Sequence, residues 1–494
     1  MSQDPALPET LKAARLSVIG TDGRRIFPEV DRKARMQRLF RGLPLRPPEE
    51  RVKDFNDVLL PYTPEQAREE ALRCLHCPDP APCQKACPAH NDISLAMWLI
   101  EQGEFLEAAA VYRRTSSMPE ICGRVCPHEK LCQGACVRTK RDGPVLTGAL
   151  EAFVADYERQ VRGVKLSVQP ATGRRVAIIG AGPAGLSCAE QLLRLGHWVT
   201  IFDAKPAPGG LLVYGIPNFK LPKMIFFDLW RSLIEAGIAF VGNTYIGRTK
   251  KVNDLFHEGF EAVFIGTGTG RDIPMGVMGE DLPGVYKGTE FLMRANTPME
   301  LLPPEMKERL QVGKRVVVIG GGDTASDCLR TALRMGAEEV TCLYRRTEAE
   351  MPGSAHDRQL AREEGAKYQF LTQPIRFLRG PDGHLTSIEC LRMELGEPDA
   401  KGRRRPMPIE GSNFNVPADT AILALGYQPD PIISATTPGL QTHKWGLIIA
   451  DLETGSTSRM GVFAGGDITT GPDLVVTAMV AGRKAARTID TYLD

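Results

Sequence analysis

An apolar strand pattern followed at once by a glycine-rich turn and a helical pattern occurs twice in this chain of 494 residues. In the first copy, the strand pattern RVAIIG leads into the turn Gly180–Gly185 (GAGPAG) and the helix pattern LSCAEQLLRLG. In the second copy, the strand pattern Lys314–Ile319 leads into the turn Gly320–Ala325 (GGGDTA) and the helix pattern SDCLRTALRMG. Glycines in such a turn let the backbone approach a pyrophosphate, which then sits at the helix N-terminus. The chain is therefore predicted to have two dinucleotide sites in parallel α/β domains.

The residue that ends the next strand differs between the two copies, and this difference predicts which cofactor each site takes. In the first copy the strand pattern HWVTIFD ends in Asp203, where a carboxylate can accept hydrogen bonds from a ribose. In the second copy the strand pattern EVTCLY is followed by Arg345 and Arg346. A carboxylate would repel the 2′-phosphate of NADP, whereas guanidinium groups hold it by charge-assisted, bidentate contacts. The alternative is a solvated arginine pair beyond a strand end.

A third glycine motif, GVFAGGD at 461–467, precedes a last helical pattern, LVVTAMVAGRKAART. Here the sequence resembles the flavoproteins with two dinucleotide-binding domains, in which such an aspartate holds the FAD ribityl chain and the last helix points at the isoalloxazine. The resemblance implies FAD at the first site, with Gly466 and Asp467 near it, and NADPH at the second. It also implies that the FAD domain is split, with crossover strands near GTGTG (266–270) and AILALGYQPD (421–430).

Eight of the twelve cysteines lie between positions 74 and 136, in two groups separated by amphipathic helical patterns. Their spacing is C-x2-C-x5-C-x3-C-P, then C-x3-C-P and C-x3-C, which is typical of [4Fe–4S] ligation. Zinc is the alternative, because thiolate tetrahedra also suit it and His76, His90 and His128 lie nearby. Zinc has no redox chemistry, whereas a flavin reduced by hydride needs a one-electron carrier to pass electrons on. Disulfide reductases of this architecture use a cysteine pair instead, and Cys342 has no close partner in sequence.

The assignment of ligands to two clusters rests partly on a resemblance. In two-cluster ferredoxin folds the fourth cysteine of a run ligates the other cluster. The cysteine segments resemble the N-terminal domain shared by the glutamate synthase small subunit, the N-terminal half of dihydropyrimidine dehydrogenase and the large subunit of NADH-dependent ferredoxin:NADP oxidoreductase. In that group an oxygen ligand can complete the second cluster, and the matching residue is Glu151, with Cys122 as the alternative. The predicted ligands are Cys74, Cys77, Cys83 and Cys136 for one cluster, and Cys87, Cys126, Cys132 and Glu151 for the other.

The resemblance to the glutamate synthase small (β) subunit family extends over almost the whole chain from Asp54. It is most specific in the stretches 209–223 (GGLLVYGIPNFKLPK), 320–354 and 396–414. It implies an NADPH-oxidising electron-input subunit that serves a large, FMN-containing subunit, which makes glutamate from glutamine and 2-oxoglutarate. Two alternatives remain: the same core serving another acceptor, such as ferredoxin or a pyrimidine-reducing subunit, or a flavoprotein whose cysteine domain binds zinc and recruits a partner.

The predicted fold class is α/β. It comprises an N-terminal α-helical double-cluster iron–sulfur domain and two Rossmann-like dinucleotide-binding domains, the NADPH domain inserted in the FAD domain. The predicted boundaries are 1–165 for the arm and cluster domain, 166–275 and 425–494 for the FAD domain, and 276–424 for the NADPH domain. Hydride transfer between cofactors needs no side-chain acid or base, so we predict no catalytic residue. The predicted cofactor-binding residues are Gly180, Gly182, Pro183, Ala184, Gly185, Asp203, Gly210, Leu211, Gly320, Gly322, Asp323, Thr324, Ala325, Arg345, Arg346, Gly466 and Asp467.

The overall charge and hydrophobicity exclude two classes of partner. Lysine and arginine number 61 against 60 aspartate and glutamate residues, so no net field attracts nucleic acid or an anionic membrane. The longest apolar runs fall far short of the roughly 20 residues of a membrane helix, and Met1–Ala14 lacks the pattern of a signal peptide. We expect a cytoplasmic protein that binds neither.

Overall fold

The computed structural model describes residues 30–308, 310–398, 402 and 404–494. The part of the predicted arm before residue 30 lies outside these residues, as do a few residues of the stretch 396–414. The chain divides into two compact units. Among the described residues, the first unit comprises 30–45, 59–165 and 475–480, and the second comprises the rest. No helix in the described part of the chain is long and apolar enough to cross a membrane.

The helices and strands follow the predicted order, and residues 30–170 contain helices but no strand of the sheets. The helices are α1 (Arg32–Met36), α2 (Pro48–Arg51), α3 (Pro64–Ala71), α4 (Pro82–Ala86), α5 (Ile93–Gln102), α6 (Phe105–Arg113), α7 (Pro119–Val125), α8 (Thr147–Val161), α9 (Pro183–Arg194), α10 (Leu211–Tyr214), α11 (Lys223–Glu235), α12 (Val252–His257), α13 (Gly288–Asn296), α14 (Asp323–Arg334), α15 (Ala355–Glu363), α16 (Ile432–Thr436), α17 (Asp467–Thr470) and α18 (Val475–Leu493). The strands are β1 (Arg175–Ile179), β2 (Trp198–Phe202), β3 (Ala239–Val241), β4 (Ala262–Ile265), β5 (Arg271–Asp272), β6 (Val285–Lys287), β7 (Arg315–Ile319), β8 (Glu339–Tyr344), β9 (Lys367–Phe370), β10 (Thr372–Arg379), β11 (Leu385–Pro398), β12 (Arg404–Pro408), β13 (Phe414–Pro417), β14 (Thr420–Leu423), β15 (Tyr427–Gln428) and β16 (Val462–Ala464).

The first unit is a set of short helices whose ends are fixed by local sequence. Thr63 begins α3 with a capping box, since its hydroxyl accepts a hydrogen bond from the Gln66 N–H while the Gln66 side chain accepts one from the Thr63 N–H. Gly103 ends α5 in the left-handed conformation, with φ +86°. Helices α7 and α8 approach closely because Gly123 has no side chain: a Cβ there would lie 2.5 Å from the Ala152 nitrogen. These short helices leave long connecting loops, and the loops carry most of the cysteines.

The second unit contains two five-stranded parallel sheets. The first has the order β16-β4-β1-β2-β3 and the second the order β6-β14-β7-β8-β9. Strand β16 lies beside β4, although the whole second sheet intervenes in sequence. The first sheet is therefore interrupted by the second, and the predicted fold class is confirmed.

The second unit also contains two smaller sheets. The antiparallel pair β5 and β15 joins Arg271–Asp272, which directly follows the predicted crossover 266–270, to Tyr427–Gln428, which lies within the predicted crossover 421–430. A four-stranded antiparallel sheet, β10 to β13, lies within the second half of the inserted segment. The sequence patterns did not predict this sheet.

The stretch RGLPLRPPEERVKDF (41–55) contains the short helix α2 and buries Arg51. The Arg51 guanidinium donates to Glu364 at 2.8 Å. Glu364 also accepts from Arg330 at 2.8 and 2.9 Å and from Arg334 at 2.6 Å, and all four side chains are almost inaccessible to solvent. Burial opposes ionisation of Glu364, but the hydrogen bonds from Arg330 and Arg334 lower its pKa to about 2. The buried carboxylate of Glu364 thus neutralises part of the positive charge of three buried arginines.

Replacement of this carboxylate tests its role. We expect Glu364→Gln to lower the free energy of unfolding by about 3–5 kcal/mol, because it leaves three buried guanidinium groups without their common anion. Glu339→Gln is the matched control, since Glu339 pairs with Lys367 at 2.7 Å on the surface, where such pairs contribute at most about 1 kcal/mol. Urea denaturation followed by circular dichroism measures both. Equal stability of the two variants would contradict the role given to Glu364.

Candidate functional site

Four cysteines line a single cavity in the first unit: Cys74, Cys77, Cys83 and Cys136. Two come from the loop after α3, one from α4 and one from the segment after the short 3₁₀ turn His128–Lys130. Burial raises the pKa of Cys74 and of Cys83 to about 12. The remaining wall is largely apolar and includes Ile93, Met97 and Val145. The structure thus brings together the four cysteines that the sequence assigned to one cluster.

The other predicted ligands line a second cavity in the same unit. Its wall includes Cys87, Cys126, Cys132 and Glu151, and also Cys122. Cys87 and Cys126 stand at the C-terminal ends of α4 and α7, where the chain turns out of each helix. The sulfur atoms of Cys122 and Cys126 are within hydrogen-bonding contact of each other. Both candidates for the last ligand therefore face this cavity, and the choice between them stays a prediction.

Glu151 lies on α8 with its carboxyl group buried. Burial, and then the charge of Glu120, raise the pKa of Glu151 to about 8. The amide of Asn91 donates to it at 3.4 Å, and Asn91 is itself held by the Thr115 hydroxyl at 2.6 Å. Sequence reasoning missed Asn91 and Thr115, because an isolated polar residue in a loop gives no periodic signal. Glu151 is a buried acid with one weak donor, so a cation beside it would favour its ionised form.

The geometry of the two cavities fits a cluster. Four cysteines from separate segments of the chain line each of the two cavities. A [4Fe–4S] cube takes one ligand at each corner, so this arrangement of donors suits it.

The first glycine turn forms an open cradle at the start of α9. Gly180 has φ +101°, and a Cβ there would lie 2.7 Å from the Gly266 oxygen, so only glycine fits. Gly182 has no neighbouring atom within 4 Å of an added Cβ and forms the N-cap of α9, with Pro183 as the first helical residue. This open space in front of the helix fits a pyrophosphate. The turn packs tightly behind this space, because a Cβ on Gly185 would lie 1.9 Å from the Gly180 oxygen.

The other residues that were predicted to bind the cofactor of the first site lie next to this turn or follow a strand of the same sheet. The Asp203 carboxylate accepts hydrogen bonds from the N–H groups of Ala181 at 2.6 Å and Lys205 at 2.7 Å. Gly210 touches the turn, since a Cβ there would lie 2.8 Å from the Gly182 Cα, and Leu211 follows it as the first residue of α10. Asp467 begins α17 just after β16, and burial raises its pKa to about 6.

The second glycine turn repeats the same construction. Gly320 has φ +150°, and a Cβ there would lie 2.2 Å from the Ala424 oxygen, while Gly322 faces open space before α14. The Asp323 carboxylate accepts from the Ser354 N–H at 2.6 Å, so the loop after β8 closes over one side of the turn. The hydroxyl groups of Thr324 and Tyr427 are 2.7 Å apart, which joins the turn to the crossover strand β15. Sequence reasoning missed this contact of Tyr427.

The two arginines predicted to hold the 2′-phosphate differ in their surroundings. Arg345 is exposed at the end of β8. Arg346 is buried, and its Nε donates to the Arg404 carbonyl at 2.8 Å, which fixes it against β12. Arg345 therefore presents its side chain to the solvent, whereas Arg346 joins β8 to the antiparallel sheet.

Two parts of the chain match known protein families. Residues 51–162 match dihydropyrimidine dehydrogenase domain II with its 4Fe–4S cluster, and residues 174–482 match the pyridine nucleotide-disulphide oxidoreductases. The chain is 44% identical to the putative oxidoreductase AegA of Escherichia coli, over 90% of this chain and 68% of that protein. It is 42% identical to the glutamate synthase [NADPH] small chain of the same organism, over 91% of this chain and 96% of that protein.

A solved structure shares the fold of the dinucleotide-binding part. Mycobacterium tuberculosis FprA in complex with NADPH superimposes with a TM-score of 0.54 at 22% identity, over 65% of this chain and 84% of that one. The matches to the iron–sulfur and oxidoreductase families confirm the predicted cofactor classes, FAD, NADP and 4Fe–4S. The chain therefore belongs to the glutamate synthase small-chain family and is an NADPH oxidoreductase that joins a 4Fe–4S domain to an FAD- and NADP-binding domain.

Proposed function

We propose that this chain is the NADPH-oxidising electron-input subunit of a glutamate synthase-type enzyme. It would deliver electrons to a large, FMN-containing partner that makes glutamate from glutamine and 2-oxoglutarate. The observation that carries the electron-transfer role is that all eight cysteines between positions 74 and 136 line two cavities of the first unit, four in each. Four cysteine sulfurs around one cavity suit a [4Fe–4S] cluster, which is a one-electron carrier.

The two glycine turns supply binding and orientation. The Gly180–Gly185 turn with Asp203 and Asp467 would hold FAD, and the Gly320–Ala325 turn with Arg345 would hold NADPH. When bound, these cofactors supply hydride transfer and the clusters supply one-electron steps, so the protein contributes position and environment. The Thr324–Tyr427 contact supports this proposal, because it fixes the start of α14 relative to the crossover strand.

The cysteine cavities supply the exit for single electrons. Cys74, Cys77, Cys83 and Cys136 would ligate one cluster, and Cys87, Cys126, Cys132 and Glu151 the other, for two clusters in all. The apolar walls of the first cavity exclude water, which would favour retention of the cluster.

A second candidate function is the same electron-transfer core serving another acceptor protein. It is favoured by relatives with other names: the NADP(+)-dependent formate dehydrogenase subunit beta of Moorella thermoacetica is 40% identical, and the NADPH-Fe(3+) oxidoreductase subunit beta of Geobacter sulfurreducens is 38% identical. This chain covers 60% and 64% of those two proteins. The cofactor sites would be the same in both candidates, so only the partner distinguishes them.

The identity of the electron acceptor is tested in the presence of a partner subunit. We expect the chain, purified anaerobically together with a glutamate synthase large subunit, to oxidise NADPH in the presence of glutamine and 2-oxoglutarate and to form glutamate. The control omits 2-oxoglutarate, which should stop NADPH oxidation. If no glutamate forms while NADPH still reduces ferredoxin or ferric iron, the second candidate is correct.

The nucleotide preference is tested at Arg345. We expect Arg345→Ala to raise the KM for NADPH about 10- to 100-fold, because a hydrogen bond to a charged group contributes roughly 1.5–3 kcal/mol. The KM for NADH, which lacks the 2′-phosphate, should change little. Arg376→Ala is the matched control, since Arg376 is a half-exposed arginine of the same domain that pairs with Glu389. Equal losses for NADPH and NADH would refute the phosphate-binding role.

The cluster role is tested at Cys77. We expect Cys77→Ala to lower the iron content while FAD is still bleached by NADPH, and to abolish electron delivery to the partner. Cys390→Ala is the control, because Cys390 is a buried cysteine of the antiparallel sheet, far along the chain from either cavity. Iron and sulfide analysis, stopped-flow absorbance and a partner-reduction assay give the three readouts. Undiminished electron delivery by Cys77→Ala would mean that the first cluster is not on the path.

A further inference from the structure

The described end of the N-terminal arm, residues 31–38, lies across the loop that carries Cys74 and Cys77, and the proposed function gives it no role. Asp31 is the N-cap of helix α1, and its carboxylate accepts hydrogen bonds from the N–H groups of Lys33 and Ala34 at 2.9 and 3.0 Å. This helix is too short to be stable alone. Its position therefore depends on what its side chains contact.

Those contacts are made to backbone carbonyl groups of the cysteine loop. Arg35 donates to the carbonyls of Leu72 and Cys74 at 3.4 and 3.0 Å. Arg32 donates to the carbonyls of Leu75 and His76, both at 3.2 Å. The carbonyl of residue 73, which lies between the two that Arg35 binds, accepts from the buried Arg138 at 2.9 Å. Five consecutive carbonyls, 72 to 76, are thus bound by three guanidinium groups.

Arg138 also fixes the arm itself. It donates to the carbonyls of Arg35 at 2.8 Å and Arg38 at 3.0 Å, as well as to the loop. Arg35 also donates to the buried carboxylate of Glu101, with contacts of 2.7 and 3.1 Å. The charge of Arg35 is therefore compensated, and its function is to hold the loop.

Arg32 lies beside two predicted cluster ligands. The carbonyls that it binds belong to Leu75 and His76, the two residues between Cys74 and Cys77. The guanidinium group therefore places a positive charge at the segment that joins these two cysteines.

We propose that Arg32 raises the reduction potential of the first cluster through its positive charge beside the Cys74–Cys77 segment. This inference rests on the proposed function, because it requires a cluster at Cys74, Cys77, Cys83 and Cys136. Reduction adds a negative charge to the cluster. A nearby cation stabilises that added charge.

The test is a potentiometric titration of the full chain, purified anaerobically and followed by electron paramagnetic resonance. In Arg32→Gln we expect one of the two cluster steps to move to lower potential, by about a tenfold change in the one-electron equilibrium constant, or about 59 mV. The other cluster step should not move and is the internal reference. Arg32→Lys, which keeps the charge, should recover part of the shift.

Arg38→Gln is the matched control. Arg38 belongs to the same arm and carries the same charge, but its guanidinium pairs with Glu69 at 2.9 Å on the surface. It should leave both steps unchanged. Because Arg32 is exposed, its replacement should not prevent folding, and the rate of cluster loss to an iron chelator checks the integrity of the loop separately.

The outcomes separate this inference from the proposed function. Two normal clusters with the same potentials in Arg32→Gln as in Arg38→Gln would overturn the inference alone, and the arm would then be a packing element. An equal shift in both variants would also overturn it, because the effect would then be that of charge at any distance. Wild-type protein without an iron–sulfur signal would overturn both the proposed function and the inference.

Discussion

Burial of cysteine sulfur around two cavities is the constraint on which the helical unit depends. Burial raises the pKa of Cys83, Cys87 and Cys132 to about 12, so without metal these thiols are neutral. A cluster requires thiolates, so its insertion releases protons and couples binding to folding. The short helices and long loops of this unit suit that dependence, because ligands from both ends of the cysteine-rich segment must reach one cavity.

In both units, arginine side chains donate hydrogen bonds to buried oxygen atoms. In the first unit, the fully buried Arg138 binds carbonyl groups of the arm and of the cysteine loop. In the second unit, three arginines surround Glu364. A guanidinium group has five donors in a fixed plane, so one side chain can satisfy several acceptors at once. The composition of the arm, rich in arginine and poor in apolar residues, follows from this use.

The sequence predicted those features that have a local or periodic signal. The glycine turns, the strands before them and the contrast between Asp203 and Arg345 were all recognisable, and so were the cysteine groups. Burial of Arg346 was not, because it depends on the Arg404 carbonyl from a distant strand. The antiparallel sheet β10 to β13 was missed because its strands alternate only weakly in burial. Asn91 and Tyr427 were missed for a similar reason: their contacts are tertiary and leave no pattern in the sequence.

The start of helix α18 distinguishes the second cavity from the first. Val476 lines the second cavity, and the Met479 sulfur accepts hydrogen bonds from the Ser116 hydroxyl and the Ser117 N–H, both at 3.3 Å. Those serines lead into α7, which carries Cys122 and is followed by Cys126. The wall of the first cavity includes instead Val137, which is 49% exposed. A segment from the far end of the chain therefore covers part of the second cavity, whereas the first cavity is bordered by an exposed residue of its own cysteine-rich segment.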